Sequence, residues 1–167
     1  DADFGVPLRK AEVGYFIGCT ARYRQNDIAK HAISLLRKLN VDFTLVDEVC
    51  CGSTLQRIGA KEKDVKRLME ANVKAVKKLG IKKLIFTCAG CLRMFKEEYP
   101  KHVELGFETE HLVQFLAKQD LKLKPFPKRI TYHDPCHLGR HLKIYDEPRK
   151  VISMFPEVKY VEPTESK

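Results

Sequence analysis

The sequence predicts an α/β fold: an open, mostly parallel sheet with helices on both faces and the cysteines on loops at its carboxyl edge. Three observations predict it. Short β-rich runs alternate with amphipathic stretches along the 167-residue chain, the pattern of successive strand–helix units. Glycines and prolines fall where those stretches end. Each group of cysteines directly follows a predicted strand, and crossovers in a parallel sheet are right-handed, so those positions share one rim, where the ligand sites of open sheets form.

Taken in order, Val13 to Ile17 is a first strand ending at Gly18-Cys19. From Asp27 to Asn40, Ile28, Ala32, Ile33, Leu35, Leu36 and Leu39 form a helical stripe, with Asn26 or Asp27 placed to cap its start. Phe43 to Val46 is a second strand and Gly52 to Ile58 a short helical turn. Lys61 to Leu79 carries Val65, Leu68, Met69, Val73, Val76 and Leu79 on one helical face and stops at Gly80. Lys83 to Thr87 is a third strand, Leu92 to Tyr99 a helix ended by Pro100, and His102 to Leu105 a fourth strand. Glu110 to Lys118 is a helix capped by Thr109, Arg129 to Tyr132 a fifth strand, Tyr145 to Phe155 a helix, and Val158 to Val161 a last strand.

Composition bounds the function. Hydrophobic residues make up 44% and charged residues 32%, as in an ordinary folded domain. No run approaches the ~20 apolar residues that span a bilayer, and no charged segment followed by an apolar one opens the chain as a secretory signal would. A cytoplasmic location is expected, where cysteine clusters serve metals or redox chemistry. The net charge of +9 reflects lysines on solvated helix faces, as at Lys74 to Lys78, so nucleic acid is not expected as a partner.

The six cysteines are Cys19, the adjacent Cys50 and Cys51 before Gly52, Cys88 and Cys91 in a CxxC, and Cys136 within His-Asp-Pro-Cys-His. An adjacent pair is poorly shaped for a disulfide but has no such limit as metal ligands. Five thiols on one rim exceed the four of tetrahedral zinc and suit an iron–sulfur centre; zinc stays open as the alternative, in a structural or assembly module without redox activity. Gly18, Gly52 and Gly90 stand beside these cysteines, where glycine either lets backbone approach closely or simply serves the turn at a strand end.

Four stretches resemble the cysteine-rich CCG domain of heterodisulfide reductase catalytic subunits and related oxidoreductases: Tyr15 to Cys19, Val49 to Gly52, Phe86 to Cys91 and Tyr132 to Arg140. The resemblance implies that Cys19, Cys50, Cys51, Cys88 and Cys91 ligate one cluster, in heterodisulfide reductases a non-cubane [4Fe–4S] centre that reduces a mixed disulfide. It implies a thiol or disulfide substrate, and other subunits of a redox complex as partners, ferredoxin-like or a membrane cytochrome, through which the chain would associate with a membrane. The family carries two copies in tandem. Residues 11–122 are expected to form the first, and 123–167 to begin the second, packed on or extending the same sheet. Cys136, with His137, would open a second site whose remaining cysteines are not in this sequence. The chain, which starts at Asp1, is therefore expected to be a piece of a larger oxidoreductase subunit, inactive alone.

Around Cys136, His133, Asp134, His137, Arg140 and His141 suit either anion binding and proton donation or a capped turn in which Asp134 bonds the backbone. Tyr15 and Tyr132 are expected in the core. Arg22 and Arg24 follow Cys19 closely, where they could offset cluster charge; a solvated loop is the expected reading.

Overall fold

The computed structural model describes residues 4–163. Four parallel strands, β1 (Val13–Phe16), β2 (Phe43–Leu45), β3 (Lys83–Phe86) and β4 (Glu108–His111), form a sheet in the order β2-β1-β3-β4. Val13 aligns with Phe43 on one side and Lys83 on the other, and Phe16 with Phe86. Strands β1, β2 and β3 are short and almost wholly buried, as expected where helices cover both faces of a parallel sheet. The chain goes from β1 outward to β2, then crosses to the other side of β1 for β3. Strand order therefore reverses between β1 and β3, and the carboxyl ends of these two strands open a crevice.

Helix α1 (Cys19–Tyr23) follows β1 directly and α2 (Asn26–Lys38) leads to β2. Ala29, Ala32, Ile33 and Leu36 form the buried stripe of α2, and Ile28 is exposed, one position off the expected face. Asp27 at its start and Arg37 and Lys38 at its end complement the helix dipole. Asn40, at φ 52°, ends α2 in a left-handed turn: its N–H reaches the Arg37 carbonyl and the Val41 N–H the Leu36 carbonyl, each at 3.0 Å. Helices α3 (Ser53–Arg57) and α4 (Glu62–Lys78) connect β2 to β3. After β3 come α5 (Ala89–Arg93), a π-helical turn (Met94–Glu98) and a 3₁₀ turn (Tyr99–Lys101).

Beneath the crevice lies an aromatic core. Phe16 and Phe86 have ring centroids 5.3 Å apart, Phe95 stands 5.1 and 4.9 Å from them, and Tyr99 stacks on Phe95 at 4.0 Å. All four side chains are fully buried.

The chain divides into two compact units, one running to His111 and one from Leu112 onward. In the second, α6 (Leu112–Leu116) packs on α7 (Asp146–Ser153), and β5 (Arg129–Ile130) pairs in parallel with β6 (Lys159–Tyr160). These two strands form a sheet of their own, distinct from the four-stranded one. His137–His141 is a π-helical turn. Arg149 closes this unit: its guanidinium donates to both Asp134 oxygens at 2.8 and 2.7 Å, to Glu162 at 2.6 Å and to the Tyr145 carbonyl at 2.7 Å.

Three expectations change. Asn26 and Asp27 lie inside α2, whose first flanking residue is Gln25, so neither caps its start. The fourth strand is Glu108–His111 and not His102 to Leu105, so Thr109 lies in a strand and does not cap a helix. The predicted helix from Leu92 starts earlier, at Ala89, and runs through α, π and 3₁₀ turns to Lys101.

Candidate metal centre

Three loops at the carboxyl ends of β1, β2 and β3 bring Cys19, Cys50, Cys51, Cys88 and Cys91 together. Cys88 precedes α5 and Cys91 lies inside it, so one helical turn turns both thiols the same way. Cys50, Cys51, Cys88 and Cys91 lie close enough for each to shift the ionisation of its neighbours. Cys19, exposed at the first residue of α1, is near enough for its charge to act on Cys50. All six cysteines of the chain are free thiols. Among the described residues, no three His, Cys, Asp or Glu side chains surround one point as ligands of a single metal ion. The thiols face one another instead, and the arrangement lends the zinc alternative no support.

The local field favours thiolates. Hydrogen bonds from Cys50 and Cys91, and from the Ser53 N–H, hold the Cys51 thiol well below its ordinary value against the opposing effect of burial. Cys88 falls to about 6, first through the Cys91 hydrogen bond and also through the Cys91 and Gly90 N–H groups. Their donors shift the other way: the bonds that Cys50 and Cys91 give to these sulfurs, with burial, push both thiols up. The Gly52 N–H donates to Cys50 Sγ at 3.5 Å. Backbone N–H groups aimed at sulfur are the means by which a protein stabilises thiolate ligands and tunes a cluster.

Each loop is pinned from within the core. Glu48, its side chain only 3% exposed, accepts the N–H of Ile17 at 2.8 Å and of Gly18 at 2.6 Å, with Arg22 Nε 3.7 Å away. Burial pushes its carboxyl up to about 7, although the two N–H groups and Arg22 pull it down. Asn72 and Tyr99 hold the backbone of the Cys50-Cys51 pair. Thr87, just before Cys88, is held by the Tyr15 hydroxyl at 3.0 Å from its Oγ1 and by His111 Nε2, which donates to its carbonyl at 3.1 Å.

Two glycines are required by geometry. Gly18 has φ 81° and ψ 150°, and a Cβ there would stand 3.2 Å from Cys91 Sγ. Gly52 has φ 86°, and a Cβ would meet Val65 at 3.1 Å. Gly90 differs: a Cβ would sit at ordinary contact distance, 3.7 Å from Cys88 Sγ, so close approach does not demand glycine there.

Cys136 lies in the second unit, exposed, on the residue before the π-turn that carries His137 and His141, whose rings stack at 5.3 Å. Asp134 does not bond the backbone turn; it is buried and accepts from the Arg149 guanidinium. Tyr15 is in the core, whereas Tyr132 is half-buried with Arg149 5.7 Å over its ring. Arg22 tucks in beside Glu48, and Arg24 is exposed.

Sequence patterning marks the cysteines but not Glu48, Asn72, Thr87, Tyr99 or His111. One signal for Asn72 was present. It interrupts the buried stripe Val65, Met69, Val76 of α4, and a polar residue on such a face needs a partner. Glu48 carried no signal of that kind.

A doubly wound sheet with thiol-bearing loops converging at its switch point defines a cysteine-rich redox or metal domain, and the donor set fits an iron–sulfur cluster. The chain belongs to the cysteine-rich CCG domain family, whose model matches residues 13–96 and 130–167. It is 46% identical to a subunit of the dihydromethanophenazine:CoB–CoM heterodisulfide reductase from Methanosarcina barkeri, over 95% of this chain and 41% of that one. It is 37% identical to a subunit of the fumarate reductase (CoM/CoB) from Methanothermobacter marburgensis, over 91% and 31%, and 34% identical to an EtfAB:quinone oxidoreductase from Syntrophomonas wolfei, over 82% and 20%. The chain thus spans less than half the length of these relatives. Its fold is similar to that of a hypothetical protein from Helicobacter pylori, with a TM-score of 0.64 at 14% identity, covering 99% of this chain and 36% of that one. Among the described residues, no helix is long and apolar enough to cross a membrane.

Proposed function

We propose that the chain is the iron–sulfur redox module of a heterodisulfide-reductase-like oxidoreductase, with Cys19, Cys50, Cys51, Cys88 and Cys91 as the ligands of one cluster of the [4Fe–4S] type. The observation that carries this is the convergence of cysteines from three separate loops at the carboxyl ends of β1, β2 and β3, close enough that a Cβ on Gly18 would stand 3.2 Å from Cys91 Sγ. The family and the redox enzymes among its relatives support it.

A bound cluster supplies one-electron steps and an iron on which a sulfur can rest. The chain's own residues do the remainder. Metal loading needs deprotonated thiols, and Cys51 and Cys88 are the two whose surroundings favour the thiolate. The Gly52, Ser53, Gly90 and Cys91 N–H groups carry hydrogen bonds to sulfur. The Phe16, Phe86 and Phe95 floor excludes water from beneath. The exposed Cys19 side faces outward, where a substrate or a redox partner would approach. The reaction class is cleavage of a disulfide by two electrons and two protons to two thiols, or onward transfer of those electrons to a partner. Free thiols throughout suit a reducing compartment, the cytoplasm. Residues 123–167 begin the second copy of the family's repeat, with Cys136 its first cysteine and His137 beside it.

Purification of the full chain under strict anaerobiosis, with iron and acid-labile sulfide analysis, tests the proposal. Brown protein with iron and sulfide in matching amounts is expected; colourless protein with stoichiometric zinc contradicts it.

A further inference from the structure

Adjacent residues in extended chain point their side chains to opposite sides. For Cys50 and Cys51 both to serve one site, as proposed, the backbone that carries them must be held in a fixed orientation. The structure contains such a device. Asn72, in the middle of α4 and fully buried, accepts the Val49 N–H on Oδ1 at 3.0 Å. Its Nδ2 donates to the Cys50 carbonyl at 3.2 Å and to the Tyr99 hydroxyl at 3.0 Å. The Tyr99 hydroxyl in turn donates to the Cys51 carbonyl at 3.2 Å. Both donors and the acceptor of the amide are used, as are the donor and one acceptor site of the phenol, so the network is closed. The amide orientation is fixed by its partners, since a flip would set Oδ1 against the Cys50 carbonyl and Nδ2 against the Val49 N–H.

Two carbonyls of consecutive residues are thereby anchored toward the interior, and Gly52 at φ 86° turns the chain directly afterwards. Tyr99 is itself held by its stack on Phe95 and comes directly after the π-helical turn Met94–Glu98. Such a turn inserts one residue into a helix and shifts the facing of the residues beyond it, a feature that recurs at functional sites.

We propose that Asn72 and Tyr99 are positioning residues that clamp the Cys50–Cys51 backbone so that both sulfurs face the cluster. The proposal rests on the iron–sulfur reading only where it concerns the loaded state.

The test uses the full chain carrying Tyr99→Phe, which keeps the ring and its stack, and Asn72→Asp, which keeps the shape but loses the donor. In the metal-free, reduced chain, alkylation of each cysteine by iodoacetamide is followed by mass spectrometry. Loss of the clamp is expected to raise the rate at Cys50 and Cys51 by roughly tenfold, the upper range for one lost hydrogen bond, with a clearly smaller rise at their neighbours Cys88 and Cys91 and none at Cys19. In the reconstituted chain, a shifted cluster midpoint potential and altered electron paramagnetic resonance spectrum are expected. Wild-type rates and spectra in Tyr99→Phe overturn the proposal, and so does an equal rise at Cys50, Cys51, Cys88 and Cys91, which marks general loosening. If Asn72→Asp does not fold, Tyr99→Phe alone decides. If the wild-type chain takes up no iron, the proposed function fails while the alkylation comparison still decides the clamp.

Discussion

His111 and Gly18 show how single residues outside the ligand set shape the site. His111 ends β4 half-buried, and desolvation lowers its pKa from the ordinary 6.5, while its Nε2–H holds the Thr87 carbonyl next to Cys88. A histidine with a depressed folded pKa binds fewer protons folded than unfolded below pH 6.5. Stability is therefore unaffected above that pH and falls as pH drops below it, at up to ~1.4 kcal/mol per unit, until the folded value is reached. His111→Gln, which keeps a donor without the titration, should flatten that part of the urea stability curve relative to wild type; parallel curves would contradict the assignment. Gly18 occupies a region of φ and ψ reserved for glycine and faces Cys91 Sγ. Gly18→Ala should cost about 1–3 kcal/mol and impair metal uptake, whereas Ala at Gly90 should be tolerated. Equal effects at the two sites in denaturant titrations would argue against a special role for Gly18.

At the scale of elements, the site depends on β1 and β3 ending side by side above an aromatic floor. Phe86→Ala should destabilise the first unit by about 3–5 kcal/mol, measured by chemical denaturation, because Phe16 and Phe95 lose their shared neighbour. A loss below about 1 kcal/mol, nearer the scale of a surface change, would show that the floor repacks. The strand–helix alternation and the cysteine positions were legible in the sequence because period and punctuation are local. β4 was misplaced for a physical reason: it is a polar strand, Glu-Thr-Glu-His, with only Glu110 buried. Its strand character comes from pairing with β3, which no local pattern shows. The π-turn after α5 escaped notice because its sequence has ordinary helical content. The clamp of Asn72 and Tyr99 joins residues 27 positions apart, so only the folded chain displays it.

At the scale of the molecule, the two units differ in their cysteine content. The first holds five, the second only Cys136. Each places its first cysteine soon after a strand that pairs in parallel with the next one, β1 with β2 and β5 with β6. The second unit ties its loops by the Asp134–Arg149–Glu162 bridge, where the first uses Glu48 on backbone N–H groups. If the five thiols of the first unit hold one centre as proposed, Cys136→Ser should leave its loading intact. The most direct measurement of the central claim is iron and acid-labile sulfide content of the anaerobically reconstituted chain, compared among wild type, Cys50→Ser, Cys88→Ser and Cys136→Ser. The account predicts full loading in wild type and Cys136→Ser, and loss in the other two. Equal loss in Cys136→Ser, or no iron in wild type, would contradict it.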